Sequence, residues 1–235
     1  MHCTRGNRCC APSLADFRGS CRLAPLLSPV LPSLSDVAGR TPTRREPDVP
    51  TGWPGTQCPN FSNWQAGDIV LVHKDQSFAG RIVPAAQAVT FNKLMYTGRH
   101  VTHVGVYLGS GKMIDAMPGR DIGVVSVFNY CQNRAVQVRR LADSSLLPSS
   151  GADIARAALV FDSKPYSMMQ AVFAKFWPNT KANPKRLYCS TLVEHAVYVA
   201  TQVDLTADPK HQPLYPGVLL YHRNFADVLL EWRSL

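Results

Sequence analysis

The stretch Val101-Thr102-His103-Val104-Gly105-Val106-Tyr107-Leu108, then Gly109-Ser110-Gly111, then Met113-Ile114-Asp115-Ala116, decides the reading of the fold. Residues 101–108 alternate and are rich in β-branched side chains, as a half-buried strand requires. Gly109 to Gly111 reads as a turn and 113–116 as a returning strand, which predicts a β-hairpin. A histidine in such a strand is ordinarily just a partly buried polar residue. Gly105 is less ordinary, because glycine weakens a strand interior and marks the close approach of another group. With a three-residue loop, Gly105 faces Asp115 and His103 lies diagonal to Asp115 on one face, within reach of polar side chains. A two-residue loop flips the parity and separates them.

Outward from the hairpin, Gly67-Asp68 precedes the short apolar strand Ile69 to Val72, and Arg81 to Leu94 is compatible with a helix. Val124 to Tyr130 fits neither period cleanly. Val136-Gln137-Val138-Arg139-Arg140-Leu141 alternates as a strand, and Ala152 to Phe161 reads as a helix. Met168 to Trp177 reads as an aromatic-rich helix ended by Pro178, Cys189 to Ala200 as a strong helix, and Pro216 opens a helical turn. Phe225 to Trp232 is expected to be helical. Strands cluster between 68 and 141 and helices follow, which is an α+β segregation.

Cys189 opens its helix. Apolar Leu192, Val193, Ala196, Val197 and Ala200 follow at helical spacing, so Cys189 sits on the inward face in the first turn. A thiol there feels the positive end of the helix dipole and gains thiolate character. The same position suits an inert buried cysteine. His195 lies about 1.7 turns beyond Cys189 and points elsewhere. His100 and His103, three residues apart on a strand, face opposite ways.

The first 60 residues have a different texture. Nine of the 18 prolines fall there, with arginine but no lysine, and no apolar run survives. Residues 1–60 are read as a disordered or loosely packed Pro/Arg-rich extension, and 61–235 as the folded domain. Leu23 to Leu34, the best signal-peptide candidate, is cut by Pro25, Pro29 and Pro32, which favours a cytoplasmic location. Five of the seven cysteines lie in this segment, without regular spacing or a paired zinc-ligand pattern. Hydrophobic residues are 46 % and charged residues 17 % of the 235, and no apolar run reaches the length of a membrane span. The net charge of +9 is scattered. It is compatible with weak contact with a membrane surface, but it forms no basic stripe interleaved with aromatics, and no nucleic-acid partner is expected.

Gly67-Asp68-Ile69-Val70, His103-Val104-Gly105-Val106-Tyr107, Ile114-Asp115-Ala116 and Tyr188-Cys189-Ser190-Thr191-Leu192-Val193 together resemble the permuted papain-like cysteine hydrolases, the YiiX/YebB-like branch of the NlpC superfamily. In that group the histidine strand precedes the cysteine helix. The resemblance spans about Phe61 to Trp232 and implies a circularly permuted papain-like fold with an antiparallel sheet packed on helices. It implies Cys189 as nucleophile, His103 as base and Asp115 as orienting acid, although family members often carry Glu at the last position. Tyr166, Tyr188 and Ser190 are then expected on the oxyanion or substrate side, and no metal or cofactor is needed. Asp121 and Gln137 are the next candidates should Asp115 face away. The function expected is metal-independent cleavage of an amide-type bond in a small peptide, amide or lipid-like substrate. The alternatives are a lipid ester hydrolase or acyltransferase, with Met168, Met169, Phe173, Phe176 and Trp177 lining a lipid cleft, and a non-catalytic binding module.

Overall fold

A computed structural model describes residues 47–73, 100–132, 136–142, 150–167, 187–207 and 214–235. The strands are β1 (Gln57–Asn60), β2 (Ile69–His73), β3 (Val101–Gly109), β4 (Lys112–Asp115), β5 (Gly123–Ser126), β6 (Val136–Leu141), β7 (Phe225–Val228) and β8 (Glu231–Ser234). The helices are α1 (Phe128–Cys131), α2 (Ser150–Leu159), α3 (Cys189–Thr201) and α4 (Pro216–Tyr221). Six strands form one antiparallel sheet in the order β5-β4-β3-β2-β6-β7, and β1 pairs with β8 in a separate ribbon. The architecture is mixed, with antiparallel sheets and helices.

The central strand explains its own sequence. Ile69-Val70-Leu71-Val72 is apolar throughout because both of its faces are covered. Ile69 and Leu71 join Val104, Val106 and Ile114 in a core closed by Ile154 and Ala158 of α2 and by Leu192, Val193, Ala196 and Val197 of α3. Val70 and Val72 join Tyr107, Met113, Val136 and Val138 in a second core with Cys58, Phe61, Trp64, Phe128 and Cys131. Aromatic edges lock the latter, with Phe61 against Trp64 at 4.9 Å and Trp53 against Phe128 at 5.3 Å between ring centroids.

The hairpin reaches the expected register by another route. Gly109 pairs with Lys112, so the turn holds two residues, Ser110 and Gly111, both at positive φ. That alone would flip the parity. A bulge at Leu108 restores it, and Gly105 faces Asp115.

Three expectations change. Phe225 to Trp232 is two short strands rather than a helix, because β7 finds β6 and β8 finds β1, and pairing overrides local preference. The segment left open at 124–130 resolves into β5 and the start of α1. Residues 47–60 belong to the fold rather than to a loose extension: Cys58 is fully buried and β1 is paired along its length. Residues 1–46, the Arg81 to Leu94 helix and the Met168 to Trp177 helix lie outside the described residues.

Gly67 is the tightest point of the scaffold. Its φ is +89°, and a β-carbon there would meet the carbonyl oxygen of Gly151 at 2.1 Å. Backbone stands against backbone, so neither side can yield. Gly67→Ala should therefore destabilise by about 3 kcal/mol and lower Tm by about 10 °C, read by thermal unfolding. A change within two degrees would mean that the two backbones part easily.

Candidate active site

Three elements converge on the site. β3 carries His103, β4 carries Asp115, and the N-terminus of α3 carries Cys189. All three side chains are buried, Asp115 completely. His103 Nε2 donates to Asp115 Oδ2 at 2.8 Å. The Cys189 thiol stands close enough to the same imidazole to act on its titration. With Nε2 committed to Asp115, Nδ1 is the ring nitrogen left to serve the thiol. Burial alone would push the His103 pKa down. The hydrogen bond to Asp115, the nearby Cys189 and their charges outweigh it and carry the pKa up to about 10.

Asp115 is surrounded by donors. Burial would raise its pKa, but His103, the Tyr130 hydroxyl and the charge of Arg120 together hold it below the usual carboxylate value. Tyr130 donates to Oδ2 at 2.5 Å, and Arg120 donates to Oδ1 through Nη2. Burial and the neighbouring carboxylate push the Tyr130 phenol up, so it stays protonated. Neither Arg120 nor Tyr130 was foreseen. Arg120 lies in the loop between β4 and β5 and Tyr130 in the short helix α1 after β5, and only the folded path of the chain brings both back to Asp115.

The group that approaches Gly105 closely is a methionine. A β-carbon there would meet Met113 Cε at 2.2 Å and Ile114 O at 2.7 Å. The methionine methyl fills the space, beside Cβ of Asp115.

The remaining candidates separate. Tyr166 sits near Cys189, whose charge, after burial, raises its phenol, and Tyr166 bridges to Leu187 just ahead of the nucleophile. The Tyr188 hydroxyl donates to the Leu214 carbonyl at 3.2 Å, while its backbone N–H donates to the Thr191 hydroxyl at 2.9 Å. Ser190 is completely buried, and its hydroxyl has no hydrogen-bond partner. Gln137 is engaged with Asp227, and Asp121 is exposed. His195 is buried beside the Phe161 ring, 6.0 Å between centroids. Cys131 is buried in the second core, and burial pushes its thiol up to about 12.

The start of α3 supplies donors. The first intrahelical bond is made by Leu192 to the Tyr188 carbonyl, which leaves the N–H groups of Cys189 and Ser190 without intrahelical acceptors. They sit at the positive end of a 13-residue helix, beside the thiol. Among the described residues, no group of three or more His, Cys, Asp or Glu side chains stands ready to hold a metal ion. No helix there is long and apolar enough to cross a membrane.

No family model matches this chain, and no curated protein matches it. Among solved structures, the crystal structure of the metalloprotein yiiX from Escherichia coli O157:H7 aligns over 72 % of this chain and 98 % of its own, with a TM-score of 0.47 and 16 % sequence identity.

Proposed function

We propose that the chain is a cysteine hydrolase of permuted papain-like type that cleaves an amide-type bond with Cys189, His103 and Asp115. The observation that carries this reading is a single buried imidazole hydrogen-bonded through Nε2 to a buried carboxylate, beside a thiol at a helix N-terminus. A structural ion pair needs the carboxylate but has no use for the thiol at the dipole end. His103 takes the Cys189 proton, and the thiolate attacks the acyl carbon. The backbone N–H groups of Cys189 and Ser190 receive the oxyanion. The His103 imidazolium returns its proton to the leaving amine, the C–N bond breaks, and a thioester remains on Cys189. Water, deprotonated by His103, then releases the acid and restores the thiol. Asp115 keeps the imidazole in the tautomer that faces sulfur.

Thiol labelling tests the first step. At pH 6 a thiol with a pKa of about 12 is ionised in about one molecule in 10⁶, so Cys131 should be almost inert. Iodoacetamide should label Cys189 more than a hundredfold faster than Cys131, and His103→Ala should slow the labelling of Cys189 while leaving that of Cys131 unchanged. Faster labelling of Cys131 would sink the assignment. Activity-based profiling with peptidyl, acyl-amide and ester electrophiles on wild type and Cys189→Ala then reads the substrate class. Preferential capture by long-chain ester probes would replace amide cleavage with lipid chemistry.

A further inference from the structure

Asp115 is met by more donors than the orientation of one imidazole requires. Its Oδ2 accepts from His103 at 2.8 Å and from the Tyr130 hydroxyl at 2.5 Å, while Oδ1 accepts from Arg120. Arg120 Nη2 also lies 3.5 Å from the Tyr130 oxygen, so the two extra donors form one network. They arrive from different parts of the chain, Tyr130 from α1 and Arg120 from the loop between β4 and β5. A fully buried carboxylate with only an imidazole to share its charge would hold the imidazolium proton too firmly. General acid catalysis works best when that proton can leave near the working pH.

Resting on the hydrolase reading above, we propose that Arg120 and Tyr130 are positioning residues that divide the charge of Asp115, so that His103 holds its proton less tightly than it would facing Asp115 alone. Arg120 acts in two ways. It draws electron density from Oδ1, and its own positive charge opposes an imidazolium nearby. Tyr130 competes with His103 for the same oxygen. The ionisable groups around His103 are Asp115, Tyr130 and Arg120 on the carboxylate side and Cys189 with Tyr166 on the thiol side.

The contrary role, simple buttressing, gives the opposite sign. A carboxylate released from a buttress would turn from the ring, and the His103 pKa would fall. The experiment is a pH titration of histidine-labelled full-length protein by nuclear magnetic resonance, with the His103 signal assigned by its loss in His103→Gln. Tyr130→Phe and Arg120→Gln should each raise the His103 midpoint by about one unit. Arg120→Lys, which keeps the charge but not the planar fork, should raise it less. Arg156→Gln, on α2 and paired with Asp153, should leave it in place. A midpoint that falls or stays still in folded Tyr130→Phe and Arg120→Gln overturns the proposal. If Arg120→Gln fails to fold by circular dichroism, Tyr130→Phe decides alone. The titration needs no turnover, so the two readings fail separately. Upward shifts in a chain without hydrolytic activity would keep the charge division and remove the hydrolase, and hydrolysis with an unmoved midpoint would do the reverse.

Discussion

On the hydrolase reading proposed above, exchanging His103 for alanine should cut turnover by about 10³-fold, since general acid–base catalysis contributes about 10²–10⁴-fold. The loss should fall on kcat, because the ring acts on the proton in transit and not on the bound substrate. Asp115→Asn should also lower turnover, because the base survives with a poorly held tautomer. The double variant should be scarcely slower than His103→Ala alone, since groups that act through one another do not add. Asp115→Asn also strands the Arg120 charge at a buried amide, so each variant is checked for fold by circular dichroism. Fully additive losses in folded variants would mean that Asp115 serves the reaction by a route that does not pass through His103.

Trimming the chain at residue 46 and at residue 60 should give very different proteins. Cutting at 60 removes β1, the buried Cys58 and the edge contact of Trp53 with Phe128, and leaves β8 with no partner. The loss of buried apolar surface alone is worth about 4 kcal/mol, more than 10 °C in Tm for a domain of this size. Cutting at 46 keeps all of these contacts, and by the proline-broken character of residues 1–46 it should leave Tm within about 2 °C. Thermal unfolding of the two truncated chains beside the full chain measures both. Equal stability of the two truncations would deny β1 any part in holding the domain.

The hairpin and the Cys189 helix were legible because their signals are local. Alternation across 101–108 and the apolar spacing from Leu192 to Ala200 report which side of one element is buried, and the core agrees. The contact of His103 with Asp115 was legible only as a condition on the loop. One residue decides that parity, and the bulge at Leu108 that settles it has no sequence mark of its own. The tail was misread for a related reason. Ala226, Leu229, Leu230 and Glu231 suit a helix locally, and what makes strands of their neighbourhood is pairing with β6 and β1 far back in the chain. Proline content in 47–60 likewise suggested looseness, yet Pro59 sits within β1 opposite Trp232, where an edge strand tolerates it. Arg120 and Tyr130 were invisible because a loop arginine and a short-helix tyrosine carry no periodic signal.

The β1–β8 ribbon has a consequence for how the chain is made. The two strands meet across 171 residues at the Asn60–Glu231 contact. At a synthesis rate of about 5–20 residues per second, β1 leaves the ribosome about 10–35 s before its partner exists. Through that interval Cys58 and the neighbouring aromatic cluster lack their final cover, and no nearer strand takes the place of β8 among the described residues. Pairings of such long span also close late in folding, after the six-stranded sheet has its shorter loops in place. The newborn domain can therefore pair β2 through β6 while both β7 and the partner of β1 are still to be made, and its seam is among the last contacts to close.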